Sequence, residues 1–127
     1  MPDELVNVRY MVDDVEKAVD FYTTHFGFTV GTNAIPAFAD VVRGRLRLLL
    51  SGPRSSAGRP MPDGRTPEPG GWNRIHFIVD DIAAETARLR AAGIGFRNDI
   101  VSGPGGRQIL LEDPAGNPIE LFQPAEG

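Results

Sequence analysis

Histidine occurs only twice in this 127-residue chain, and one copy, His76, stands inside Ile75-His76-Phe77-Ile78, an apolar run of the kind that forms a strand. Imidazole exchanges protons nearest to neutral pH, so His76 is a candidate general base or a hydrogen-bond donor to a ligand. The plain alternative is a structural hydrogen-bonder. Glu120, between Ile119 and Leu121, is the second candidate for moving a proton, and Arg74, two residues before His76, could stabilise an enolate or meet an anionic ligand. Arg43, Arg45 and Arg47 form a local basic stripe that could attract an anionic small molecule but is too short for a nucleic-acid duplex. Trp72, beside a Pro/Gly-rich stretch, offers an aromatic surface for a ligand, and Phe122 could add apolar lining. Other chemistries lack their residues. There is no cysteine for a thiol nucleophile or thiolate metal site. Ser51, Ser55, Ser56 and Ser102 show no nucleophile-elbow spacing. Gly103-Pro104-Gly105-Gly106-Arg107 lacks the strand-to-helix setting and the following Lys-Ser/Thr of a phosphate loop, and reads as a hairpin turn.

The elements that must carry these side chains come in two copies. Val8-Arg9-Tyr10-Met11-Val12-Asp13-Asp14-Val15 is echoed 67 residues later by Ile75-His76-Phe77-Ile78-Val79-Asp80-Asp81-Ile82. After each Asp-Asp pair, apolar residues recur at helical steps: Val15, Ala18, Val19, Tyr22 and Phe26 in one copy, and Ile82, Thr86 and Leu89 in the other. Asp13/Asp14 and Asp80/Asp81 can cap the helix starts, while Gly27 and Gly93 stand where helices end. Strands are expected over 28–30, 38–42 and 46–50, then over 96–100, 108–111 and 119–122. Alternation puts Asn7, Arg9 and Met11 on one face of the first strand, and Arg74, His76 and Ile78 on one face of its repeat. The opposite, apolar sets should pack on the helices, leaving the mixed sets to line a cleft. Between the copies, residues 51–72 hold five Pro and five Gly, a linker, lid or binding loop. The expected fold is α+β: two βαβββ modules, at about 5–51 and 72–124, forming paired curved mixed sheets with helices outside, within one domain of 1–127.

With Phe21-Tyr22, Phe26-Gly27-Phe28 and the closing Leu111-Glu112-Asp113-Pro114-Ala115-Gly116-Asn117-Pro118-Ile119-Glu120-Leu121, this duplicated unit resembles the vicinal oxygen chelate superfamily of glyoxalases, extradiol dioxygenases, fosfomycin-modifying enzymes and bleomycin-sequestering proteins. The resemblance implies that metal-using members place one ligand on the leading strand and one on the closing strand of each module. Here the leading positions are Asn7 and Arg74, the second closing position is Glu120, and the first falls within Arg45 to Leu50, on Arg47 by strand alternation, with Leu48 a one-residue slip away. An asparagine amide is a weak donor and a guanidinium cannot bind a cation. One carboxylate does not hold a divalent ion that needs three or four donors. No metal or other cofactor is therefore expected. Arg74 and Glu120 could instead form an ion pair where the cation would have sat.

The 13 Lys+Arg against 17 Asp+Glu oppose nucleic-acid binding, and no apolar run is long enough to span a membrane. The start Met1-Pro2-Asp3-Glu4 is unlike a signal peptide, so the cytoplasm is the expected location, and the resemblance implies a homodimer. The expected function is metal-independent binding of an aromatic or apolar small molecule with a polar or anionic end, by Asn7, Arg9, Arg47, Trp72, Arg74, His76, Glu120 and Phe122. The alternatives are a metal-dependent lyase or dioxygenase, and a cofactor-free isomerase or cyclase in which His76 or Glu120 moves a proton.

Overall fold

Both helices begin where an Asp-Asp pair closes a strand. In the computed structural model, which describes residues 4–126, Asp14 and Asp81 are extended, and their carboxylates accept the Lys17 and Ala84 amides at 3.1 and 3.0 Å. Each cap satisfies an amide that has no partner inside its helix. Met1 to Asp3, on which the leader reading rests, lie outside the described residues. Helix α1 (Val15–Phe26) buries Val15, Ala18, Val19, Tyr22 and Phe26, the stripe its periodicity predicts, and ends on Gly27 at φ 69°, a left-handed conformation that glycine adopts without a Cβ penalty. Helix α2 (Ile82–Ala91) buries Ile82, Thr86 and Leu89.

The chain divides into two compact units, Met1–Gly70 and Gly71–Gly127. The first holds β1 (Val6–Met11), α1, β2 (Thr29–Ala34), β3 (Phe38–Arg43) and β4 (Leu46–Ser51) in sheet order β1-β4-β3-β2, with β1 parallel to β4 and the other pairs antiparallel. The second holds β5 (Ile75–Ile78), α2, β6 (Val101–Gly103), β7 (Gly106–Glu112) and β8 (Pro118–Pro124) in order β5-β8-β7-β6, with β5 parallel to β8. Each is thus a strand, a helix and three strands around a mixed sheet, the α+β architecture the repeat implies. Helix α1 packs on β2, β3 and β4, whose Ala39, Val41, Leu48 and Leu50 are fully buried. Helix α2 packs on β8, where Ile119 and Leu121 join Ile109 and Leu111 in the core. Each such aliphatic side chain withdrawn from water contributes about 1.5–3 kcal/mol.

Three strand assignments differ from expectation. Strand β2 runs to Ala34, four residues further than its apolar run, because all six of its residues are exposed and periodicity cannot mark it. No strand spans 96–100. Phe96 makes one bridge to Leu111, but the Leu110 amide is taken by the Asn98 side chain at 2.9 Å, which replaces a ladder carbonyl and delays pairing until β6. Arg74 lies just before β5, not within it. Gly103 pairs with Gly106 across the expected hairpin turn. The 52–70 segment belongs to the first unit and carries a short 3-10 turn, Ser56–Gly58, capped by the buried Ser55 hydroxyl.

Register corrects the reading of Arg47. In the second unit His76 faces Glu120, and in the first unit Arg9, the residue 67 positions earlier, faces Leu49. The counterpart of Glu120 is therefore Leu49; Arg47 lies two residues earlier on the same face, opposite Asn7. Leu48 points to the other face and is fully buried. Alternation of period two identifies a face and leaves position along the strand open.

Candidate functional site

In the second unit the turn before β8 aims Glu120. Asp113, nearly fully buried, accepts the Ala115 and Asn117 amides at 2.9 Å with one oxygen and the Asn117 side-chain amide at 3.1 Å with the other. This Asx arrangement sets where β8 starts. Ile119 and Leu121 then face the core, so Glu120 falls on the face away from α2. Its side chain is only 9% exposed. Arg74 donates from Nε at 3.0 Å and lies at 2.9 Å through Nη2, both to Oε1 of Glu120. The other oxygen, Oε2, lies 3.3 Å from Nε2 of His76. The His76 ring, half-exposed, rests against Phe122 with centroids 5.0 Å apart. Glu120 thus joins a guanidinium on one oxygen to an imidazole on the other, an arrangement that can move or hold a proton.

Trp72 is joined to this cluster through the backbone. Its carbonyl accepts from Arg74 Nη1 at 3.2 Å. Its ring carries the Arg97 guanidinium 4.7 Å from the centroid, a cation–π contact, while the residue stays 69% exposed. Arg97 also donates to Glu112 at 2.8 Å, to the Gly71 carbonyl at 2.7 Å and to the Gly116 carbonyl at 3.0 Å. One guanidinium therefore fastens the approach to β5, the end of β7 and the turn before β8, and holds an aromatic plane toward solvent. Neither Arg97 nor Glu112 emerges as a site residue from the sequence. The available clue is their opposite charge, Arg97 within the expected strand over 96–100 and Glu112 just past the one over 108–111, and the irregular ladder there hides it.

The first unit places its candidates on the corresponding face. Arg47 donates through Nε to Asn7 Oδ1 at 2.7 Å, and Arg9 donates through Nη1 to Ser51 Oγ at 2.7 Å. Of the eight residues expected at the site, Trp72, Arg74, His76, Glu120 and Phe122 form one cluster in the second unit. Asn7 and Arg47 make a pair in the first, with Arg9 on the same face.

Two mixed four-stranded sheets of this topology, each with its helix, define a class. The chain belongs to the Glyoxalase/Bleomycin resistance protein/Dioxygenase superfamily, whose profile matches residues 4–121. Among solved structures it is similar to a member of that superfamily from Sphaerobacter thermophilus (29% identity, TM-score 0.75, covering 96% of this chain and 98% of that one). It is also similar to TnmS3, an antibiotic-binding protein from a Streptomyces species (28%, 0.72, 98% and 98%). A third is lactoylglutathione lyase from Agrobacterium tumefaciens (26%, 0.70, 96% and 94%). No curated protein matches the chain.

The divalent ion implied for metal-using relatives does not fit these residues. Of the Glu120 carboxylate, Oε1 already holds two guanidinium nitrogens, beside which a cation would be repelled, and Oε2 faces His76. Asn7 Oδ1 is engaged by Arg47, and the counterpart of Glu120 is an alkyl side chain. Among the described residues no three His, Asp or Glu side chains gather as a ligand set.

Proposed function

We propose that this protein binds a small molecule without a metal ion, the ligand being an aromatic or apolar compound with a polar or anionic end. The observation that carries the reading is the Arg74 guanidinium seated on Glu120, which puts a fixed positive group against the one carboxylate that the resemblance assigns to a metal-ligand position. Trp72, exposed and held by Arg97, and Phe122 beside His76 supply aromatic surface, and Arg74 and His76 supply polar partners. The antibiotic-binding relative from Streptomyces supports a role in binding alone. The setting that goes with this reading is a cytoplasmic homodimer; light scattering checks the assembly. Calorimetric titration with small aromatic acids and amides tests the proposal. Affinities in chelator and after loading with manganese, nickel, zinc or iron should agree, and binding that appears only with metal would overturn it.

The contact between His76 and Glu120 favours a second reading, cofactor-free proton transfer. Glu120, held on Oε1 by Arg74, would orient the imidazole through Oε2, leaving Nδ1 to take a proton from an acidic C–H of the ligand. Bound ligand incubated in heavy water should then gain deuterium at that carbon with the native chain and not with His76→Ala. Equal labelling in both removes His76 from the chemistry.

A further inference from the structure

We infer that Arg9 and Arg47 on the first unit's sheet, and not Arg74, take the charged end of the ligand, and that the ligand is a small aromatic or apolar monocarboxylate. This inference rests on the small-molecule reading above. The two copies of the module have divided their charges unequally. In the second unit Arg74 meets Glu120 and Arg97 meets Glu112, so each of these two guanidinium groups has a carboxylate within 3.0 Å. In the first unit the position of Glu120 is occupied by Leu49, and Arg9 and Arg47 are held by neutral oxygens, those of Ser51 and Asn7. Among the described residues neither arginine makes an ion pair. Asp40 shares this face, opposite Leu49, but it is buried and its Oδ1 accepts the Thr32 amide at 3.0 Å.

A neutral acceptor fixes the direction of a guanidinium without cancelling its charge. Arg47 uses only Nε, which leaves Nη1 and Nη2 to donate, and Arg9 uses only Nη1. A planar fork of this kind matches a carboxylate. The two residues are diagonal neighbours on adjacent strands, about 8 Å apart at Cα, within reach of one anion for side chains of this length. The body of the ligand has a place to go. Met11, opposite Ser51 and thus beside the Arg9 contact, lines a cavity of about 300 Å³ with Pro53, Pro67 and Pro69 from the Pro/Gly-rich segment. Asp13 and Glu68 also line it, so a second negative charge on the ligand would be repelled there, which selects a monoanion with its charge directed toward the arginines.

The test is calorimetric titration of the full chain with benzoate and naphthoate, each matched with its neutral amide. The native chain should prefer acid over amide by about tenfold or more, the value of one charge-assisted hydrogen bond. The double variant Arg9→Gln/Arg47→Gln should lose the acid preference while still binding the amides, with an unchanged circular dichroism spectrum. Arg74→Gln should keep the ratio of acid to amide affinity. A native chain that binds both without preference, or an Arg74→Gln variant that alone erases the preference, overturns this assignment and leaves the small-molecule reading standing. Failure of the native chain to bind any of these probes overturns both.

Discussion

Severing Arg74 from Glu120 should cost stability in a way that a double-mutant cycle isolates. Arg74→Met keeps the aliphatic stem and removes the charge; Glu120→Gln keeps the shape and removes the partner charge. Breaking a fully buried pair costs about 3–5 kcal/mol, whereas an exposed pair is worth less than about 1 kcal/mol. Here the carboxylate is 9% exposed and the guanidinium 29% exposed, so the pair lies between these limits, and solvent screening of the arginine lowers the value. A coupling of about 2 kcal/mol is expected, with Arg74→Met the costlier single change because it leaves a buried carboxylate facing only His76. Urea unfolding at neutral pH, followed by circular dichroism in the native chain, both single variants and the double variant, measures it provided the urea slopes agree. A coupling below about 0.5 kcal/mol would show that the pair is surface decoration, and would refute the idea that it organises the site.

Thr86 and Arg97 give sharper local tests. Among the described residues the buried Thr86 hydroxyl has no hydrogen-bond partner, unlike Thr23, whose hydroxyl donates to the Val19 carbonyl at 2.8 Å; Thr86→Val should therefore stabilise the chain by about 1 kcal/mol in urea unfolding, and a loss of stability would mean the hydroxyl is satisfied. Arg97→Ala removes donors to two backbone carbonyls and the cation over Trp72, and should speed local motion of the indole in time-resolved fluorescence anisotropy. Arg97→Lys should not restore it, since an ammonium cannot reproduce the fork and the stacked plane.

Much of the architecture is written in local chemistry. The Asp-Asp caps, the glycine after α1 and the repeated apolar stripes each act within a turn or two, which is why both modules can be read from their residues. What depends on partners distant along the chain is harder to read. Strand β2 has no buried residue to betray it, and Asn98 interrupts the ladder through a side-chain bond that no periodicity records. The pairing of Arg74 with Glu120 was legible because both fall on mixed faces of neighbouring parallel strands or their approach. Leu49 as the counterpart of Glu120 was not, because only the observed ladder shows the register. The role of Arg97 is not legible, because its partners at Gly71 and Gly116 are backbone carbonyls outside the strands.

Metal stoichiometry bears most directly on the claim that Arg74 replaces a cation. Protein purified without chelator and dialysed against manganese, nickel, zinc and iron should carry no stoichiometric ion by elemental analysis, and Glu120→Ala should leave that result unchanged. About one tightly held divalent ion per chain, absent from Glu120→Ala, would contradict the account.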